Sequence, residues 1–366
     1  MSFPPMPLLS ISSHKTIEKC KSLSLLPSDV FICSYPKSGT TWTQQIVLSL
    51  LLVNNRLQKE KRDDGNNKNE HEDIIEYDHV SDFAPFYEID AHWESNSSDL
   101  DESVIHNHQR LGQRVFNTHL RWNMLPKCSS DTMKKDEKVQ QQQQQLQQLQ
   151  RPSCGKFIYI TRNLPDVCTS FYHHLSNQKE GTYTNGFEQF ARDWMEGNIP
   201  FGSPLHHLLS FAEGFCDNEY CTSTDDDNKH HGQPLLLLSY EKMTTNLRDE
   251  VLRIIDHLNL KHIPMDVLDN EILPTFGFQY MKENSNKFQP KSVTWLNDYQ
   301  FLRKGVIGDG KKMMVETKCE DDENVSLMAL FHDWVKREEY CLKIDELTGC
   351  GLEMEIAEQF QALVSS

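Results

Sequence analysis

Lys37 stands in Tyr35-Pro36-Lys37-Ser38-Gly39-Thr40-Thr41-Trp42, among hydroxyls and just ahead of a glycine, a grouping that suits an anion. The apolar run Val30 to Cys33 precedes it, and a helix-like segment, Thr43 to Leu52, follows. Strand, tight loop and helix in that order aim unpaired backbone N–H groups and the positive end of the helix dipole at whatever sits in the loop. The chemistry this predicts is phosphate binding. The nucleotide-triphosphatase loop needs G-x-x-x-x-G-K-[ST], with lysine after the last glycine. Here Lys37 precedes Gly39, and no earlier glycine exists. A nucleotide kinase shares the strand, loop, helix logic but needs that other order and a metal-binding carboxylate, so it stands as a minor alternative.

His119 is the second candidate, in Asn117-Thr118-His119-Leu120, where a short strand from Arg114 ends in polar groups. Strand ends are where sites form in α/β folds, and imidazole titrates near enough to neutrality to take a proton. Arg162 closes a second apolar strand, Lys156 to Thr161, before a helix from Val167 to His174 that carries Ser170. Tyr240 follows the apolar run Leu235 to Leu238, and Arg303-Lys304-Gly305 lies in a loop. Arginine offers planar, paired donors that suit a phosphate.

These residues need a scaffold of alternating strands and helices. Further helices are expected near Ile17 to Leu25, Phe187 to Met195, Leu205 to Phe215, Leu247 to Leu258 and Ser326 to Leu342, and the strand at Leu235 extends to Glu241. Alternation implies a single α/β domain over residues 1–366, with a central, mostly parallel sheet flanked by helices. Polar stretches at about 54–73, 128–153 and 217–232 read as solvated insertions, the middle one rich in glutamine and expendable for activity. Residues 1 to 26 read as a lead-in without chemistry.

The chain has 366 residues, 37% hydrophobic and 25% charged, with a formal net charge of -17. That charge argues against nucleic acid or an anionic membrane as partner, so an anionic ligand must meet a local basic patch. The mean hydropathy of -0.61 reflects the polar insertions. The 10 cysteines show no C-x-x-C pair and suit buried thiols in a reducing compartment better than disulfides or zinc, so no metal is expected. No secretory signal or run of 18 apolar residues is present, and a cytoplasmic location is expected.

Taken together, Tyr35 to Trp42, His119, Arg162 to Ser170, Tyr240 and Arg303-Lys304-Gly305 resemble the cytosolic sulfotransferases in order and spacing, insertions aside. These enzymes use 3′-phosphoadenosine 5′-phosphosulfate (PAPS). The resemblance spans nearly the whole chain. It implies a P-loop-like phosphosulfate-binding loop and direct in-line transfer of a sulfuryl group to a hydroxyl, or an amine, of a small organic acceptor. It makes His119 the general base and Lys37 the cation on the leaving phosphate. Ser38, Gly39, Thr40 and Thr41 would hold the 5′-phosphate, and Arg162, Ser170, Arg303, Lys304 and Gly305 the 3′-phosphate. Trp42 and Tyr240 would contact adenine, although Trp42 also suits a core position.

Phe86, in Phe83 to Asp90, resembles the family's acceptor-lining Pro-Phe-Leu-Glu stretch and equally suits a core turn. Trp122 is placed with it near the pocket. Asn117 occupies the position where the family usually has lysine, and its amide replaces part of a charge. That departure raises the alternative of a catalytically impaired PAP- or PAPS-binding protein. Gly308-Asp309-Gly310 replaces the family's usual Gly-Asp-Trp. Of the dimer motif K-x-x-x-T-V-x-x-x-E only Lys311 and Glu320 remain, so a monomer or weak homodimer is expected.

Overall fold

Strand β1 (Val30–Ser34) is buried at every position, the mark of a central strand covered on both faces. In the computed structural model, which describes residues 3–62, 77–127, 155–216, 235–296, 298–319, 324–337, 358–360 and 362, β1 lies between β2 (Val115–Thr118) and β3 (Lys156–Thr161). Strand β4 (Leu235–Ser239) completes a 4-stranded sheet of order β2-β1-β3-β4. All of its pairings are parallel. The chain is a single α/β domain.

Side-chain alternation divides the strands between two cores. Phe31, Cys33, Phe116, Phe157 and Tyr159 face one, and Val30, Ile32, Val115, Ile158 and Ile160 face the other. Phe31 is in register with Phe116 and Phe157, and its ring stacks on theirs at 5.1 and 4.9 Å. Such pairs are the unit of sheet stabilisation. The first core also takes Ile17 and Cys20 from α1 (His14–Ser22). The second takes Ile46, Val47 and Leu50 from α2 (Thr40–Arg62) and Leu111 from α3 (Glu102–Leu111).

Helices α4 (Leu164–Ser176), α5 (Phe187–Glu196) and α6 (Pro204–Cys216) return to the first core through Phe171, Trp194 and Phe211. A short α7 (Tyr240–Thr245) leads into α8 (Leu247–Leu258), which packs Val251 and Ile254 on the second core. Helices α9 (Asp309–Glu316) and α10 (Leu327–Val335) finish on the first. Among the described residues no helix is long and apolar enough to cross a membrane.

Several boundaries shift by a few residues from the sequence reading, and two of the differences have a visible cause. Residues 54–62 belong to α2 and not to a loop, because their polar groups are used: Asn54 accepts the His262 N–H at 3.1 Å and Asn55 donates to the Leu111 carbonyl at 2.9 Å. Strand β4 stops at Ser239, whose hydroxyl caps α7, so Tyr240 opens a helix. Residues 63–73, 128–153 and 217–232 of the expected insertions, and residues 338–342 of the expected last helix, lie outside the described residues.

Candidate active site

Parallel strands gather their following loops at one edge of the sheet, and the edge is a natural crevice where the strand order reverses. Tyr35 to Gly39 follow β1, His119 follows β2, Arg162 follows β3 and Tyr240 follows β4. The chain leaves β1 for β2 on one side and returns to β3 on the other, which puts the reversal between β1 and β3. Lys37 and Arg162 flank it, with Arg162 Nη1 3.4 Å from the Lys37 carbonyl.

The loop after β1 is held tightly. Lys37 has φ 71° and Gly39 φ 113°, and a Cβ at Gly39 would meet Ile160 Cδ1 and Tyr240 Cδ2 at 3.0 Å, so only glycine fits. Thr43 N–H reaches the Gly39 carbonyl at 3.0 Å, which makes the N–H groups of the preceding turn the orphan donors of a helix start. Ser38 is buried, and the Thr40 hydroxyl shares a 2.5 Å hydrogen bond with that of Ser34. Trp42 donates from Nε1 to the Phe276 carbonyl at 2.8 Å and meets the Tyr240 ring edge-on at 5.4 Å. Tyr240 in turn carries the Arg162 guanidinium 4.3 Å over its face, a cation–π contact.

His119 is fixed at both ring and backbone. Nδ1 lies 2.8 Å from the Ser34 carbonyl, which can only accept, so Nδ1 carries the proton and Nε2 the lone pair. Burial, with a smaller push from Lys37, lowers its pKa to about 4 against the opposing Ser34 bond, and the ring is neutral at pH 7. Its backbone N–H donates to Glu88 Oε1 at 2.7 Å, and His207 Nε2 lies 3.1 Å from its carbonyl. Phe86 and Phe201 each meet the ring edge-on at 5.1 Å.

Four cations lie nearby. Burial first, then Arg162 and Arg303, lower the Lys37 pKa to about 7. Its Nζ sits 3.4 Å from His174 Nδ1 and 4.1 Å from the centre of the Phe301 ring. Arg303 Nη2 and Lys304 Nζ each contact Asp309 at 2.5 Å. Asp166, buried on α4, accepts the Gly308 and Gly310 N–H groups at 2.9 and 2.6 Å and ties this loop to the helix that follows Arg162. A Cβ at Gly310 would fall 2.0 Å from the Pro165 carbonyl oxygen, so the loop and α4 meet backbone to backbone. Ser170 lies in the second turn of α4, partly buried, and Gly305 has φ 64°.

The expected acceptor residues divide. Phe86 stands beside His119, as described. The Asn117 amide donates to the Ala84 carbonyl at 2.6 Å and is committed to the backbone, while the residue pairs with Phe86 in a parallel bridge. Trp122 is in the core, its ring against Phe157 and Phe211 at 5.2 and 5.9 Å. The sequence reading missed Glu88, Phe201, His174 and Asp166. Residues 1 to 26, expected as a lead-in without chemistry, brace the surroundings of the site: the Pro7 carbonyl accepts the Phe201 N–H at 2.9 Å and the Pro4 carbonyl accepts Arg121 Nη1 at 2.7 Å.

A basic cluster, a neutral imidazole and a helix start at one sheet edge can bind a polyanion and move a proton beside it. Known proteins narrow this. The family described as "Sulfotransferase domain" matches residues 27–139 and 141–326. Rat sulfotransferase 1E1 is 26% identical over 83% of each chain, and mouse sulfotransferase 1 family member D1 is 28% identical over 90% of this chain and 89% of its own. The crystal structure of mouse sulfotransferase SULT7A1 complexed with PAP covers 92% of this chain and 96% of its own, with a TM-score of 0.51 at 21% identity, a likeness of fold. A retinol dehydratase with retinol and PAP reaches a TM-score of 0.56 at 17% identity, over 89% of this chain and 86% of its own. With that match covering most of its length, the chain belongs to the sulfotransferase domain family.

Proposed function

We propose that this sulfotransferase moves the sulfuryl group of PAPS to a hydroxyl, or an amine, of a small organic acceptor. His119 is the general base and Lys37 the cation on the leaving phosphate. The observation that carries the reading is the hydrogen bond from His119 Nδ1 to the Ser34 carbonyl, because it leaves Nε2 free to take a proton next to the phosphate loop. The acceptor oxygen forms the new bond to sulfur, its proton passes to Nε2, and the bridging S–O bond breaks with its electron pair going to the phosphate of PAP. Lys37 stabilises that charge as it develops, in a partly desolvated site where a cation counts for more than in water.

The N–H groups that open α2, with Ser38, Thr40 and Thr41, hold the 5′-phosphate, and Arg162, Ser170 and Arg303-Lys304-Gly305 hold the 3′-phosphate. Trp42 and Tyr240 form the adenine shelf. Support comes from the relatives solved with PAP and from the convergence of these residues at one sheet edge. The chain acts on small molecules in the cytoplasm, a setting that suits the free buried thiols of Cys20, Cys33 and Cys168.

Transfer of ³⁵S from labelled PAPS to a panel of phenols, sterols and aliphatic alcohols tests this, beside calorimetry with PAP. His119→Ala is expected to abolish transfer and to leave PAP affinity within about twofold, since the base touches the acceptor and not the nucleotide. Binding of ATP without binding of PAP sinks the reading. The commitment of Asn117 to Ala84 favours a second one, a PAP-binding protein without transfer, because no lysine stands at that position. Tight PAP binding with no transfer to any acceptor selects it.

A further inference from the structure

His119 is held from three sides by groups that the transfer reaction does not consume. Its ring N–H goes to the Ser34 carbonyl, its backbone N–H to Glu88 and its carbonyl to His207. Glu88 and His207 are 1% and 0% exposed. Glu88 follows the Phe86 to Asn117 bridge, so its carboxyl is carried on backbone already fixed to β2. Its Oε1 accepts the His119 N–H at 2.7 Å, and burial pushes the carboxyl up to about 7 against the bonds from that N–H and from the Thr118 side chain. A fully buried carboxyl costs stability, so its presence needs a reason. His207 sits on α6 with Nδ1 3.1 Å from the Tyr159 hydroxyl, and burial keeps it neutral, so it donates from Nε2 to the His119 carbonyl.

We infer that Glu88 is a positioning residue for the transfer, with His207 as its counterpart on the other side of the same residue. Together they set where His119 Nε2 stands relative to the acceptor. The inference rests on His119 being the base. Glu88 reaches the reaction only through the His119 backbone, and holds the N–H of a residue that lies just past the end of β2, where no neighbouring strand does so. Displacing a reacting group by about 1 Å costs on the order of 100-fold in rate.

The test compares kcat, KM for PAPS and PAP affinity in Glu88→Ala, Glu88→Gln and Glu88→Asp. Glutamine keeps an acceptor oxygen at the same reach and is expected to keep kcat within about fivefold. Alanine removes the acceptor and is expected to lower kcat about 100-fold with PAP affinity unchanged. Should Glu88→Ala not fold, Glu88→Asp decides, because one methylene fewer withdraws the oxygen from the N–H and lowers kcat in the same way. Wild-type kcat in the alanine or aspartate variant overturns the inference, as does equal loss in glutamine and aspartate. If His119→Ala itself keeps full transfer, the fault lies with the base and not with Glu88.

Discussion

Burial moves both ionisable groups of the proposed transfer toward neutrality, His119 to about 4 and Lys37 to about 7, with opposite consequences. A neutral imidazole is what a base requires, whereas a neutral lysine cannot stabilise a leaving phosphate. For PAPS, kcat/KM reports the free enzyme, so it is expected to rise through about 4 as His119 loses its proton and to fall through about 7 as Lys37 does. Bound phosphates favour the ammonium, so the alkaline limb of kcat lies above that of kcat/KM. Initial-rate pH profiles measure both, and an alkaline limb that stays in place in Lys37→Arg removes lysine from it. The positions of Lys37, His119 and Arg162 at strand ends were legible because apolar runs stop just before them, and that of Arg303 because it stands in a loop. Asn117 and Trp122 were not, since a residue type does not say which way its side chain points: one went to the Ala84 carbonyl, the other into the core.

At the scale of elements, the loop that carries Arg303 and Lys304 is anchored to α4 through Asp166 and the close backbone approach at Gly310. Asp166→Ala removes the acceptor of the Gly308 and Gly310 N–H groups, and hydrogen bonds to a charged group are worth about 1.5–3 kcal/mol. Affinity for PAP is therefore expected to fall roughly 10-fold or more, while 5′-AMP, which lacks the 3′-phosphate, keeps its affinity. Calorimetry with both ligands checks this, and an equal loss for the two would show that Asp166 supports the whole site. Apolar runs and their punctuation made the strands and most helices readable. The far end of α2 and the stop of β4 were hidden, because Asn54, Asn55 and Ser239 take their roles from partners distant in sequence or from a cap.

The whole molecule closes on the site from far along the chain. The Tyr35 hydroxyl reaches the Gly202 carbonyl at 2.8 Å, the Pro7 carbonyl holds Phe201, and Phe301 lies over Lys37. This tightness fixes Lys37 at φ 71°, in the left-handed region that costs a side-chain-bearing residue about 1–2 kcal/mol. Desolvation of its ammonium adds to that cost, while glycine would give back about 0.5–1 kcal/mol in chain entropy. Lys37→Gly is expected to raise the unfolding midpoint at neutral pH while transfer is lost. The folded pKa of Lys37 lies below its unfolded value, so the desolvation penalty is full below about 7 and fades as pH rises toward the ordinary lysine range. The gain in the variant should shrink over that window in thermal melts, and a lower midpoint at neutral pH would refute the argument. Selection for thermal stability alone would turn this position into glycine, so the lysine marks where function overrules folding.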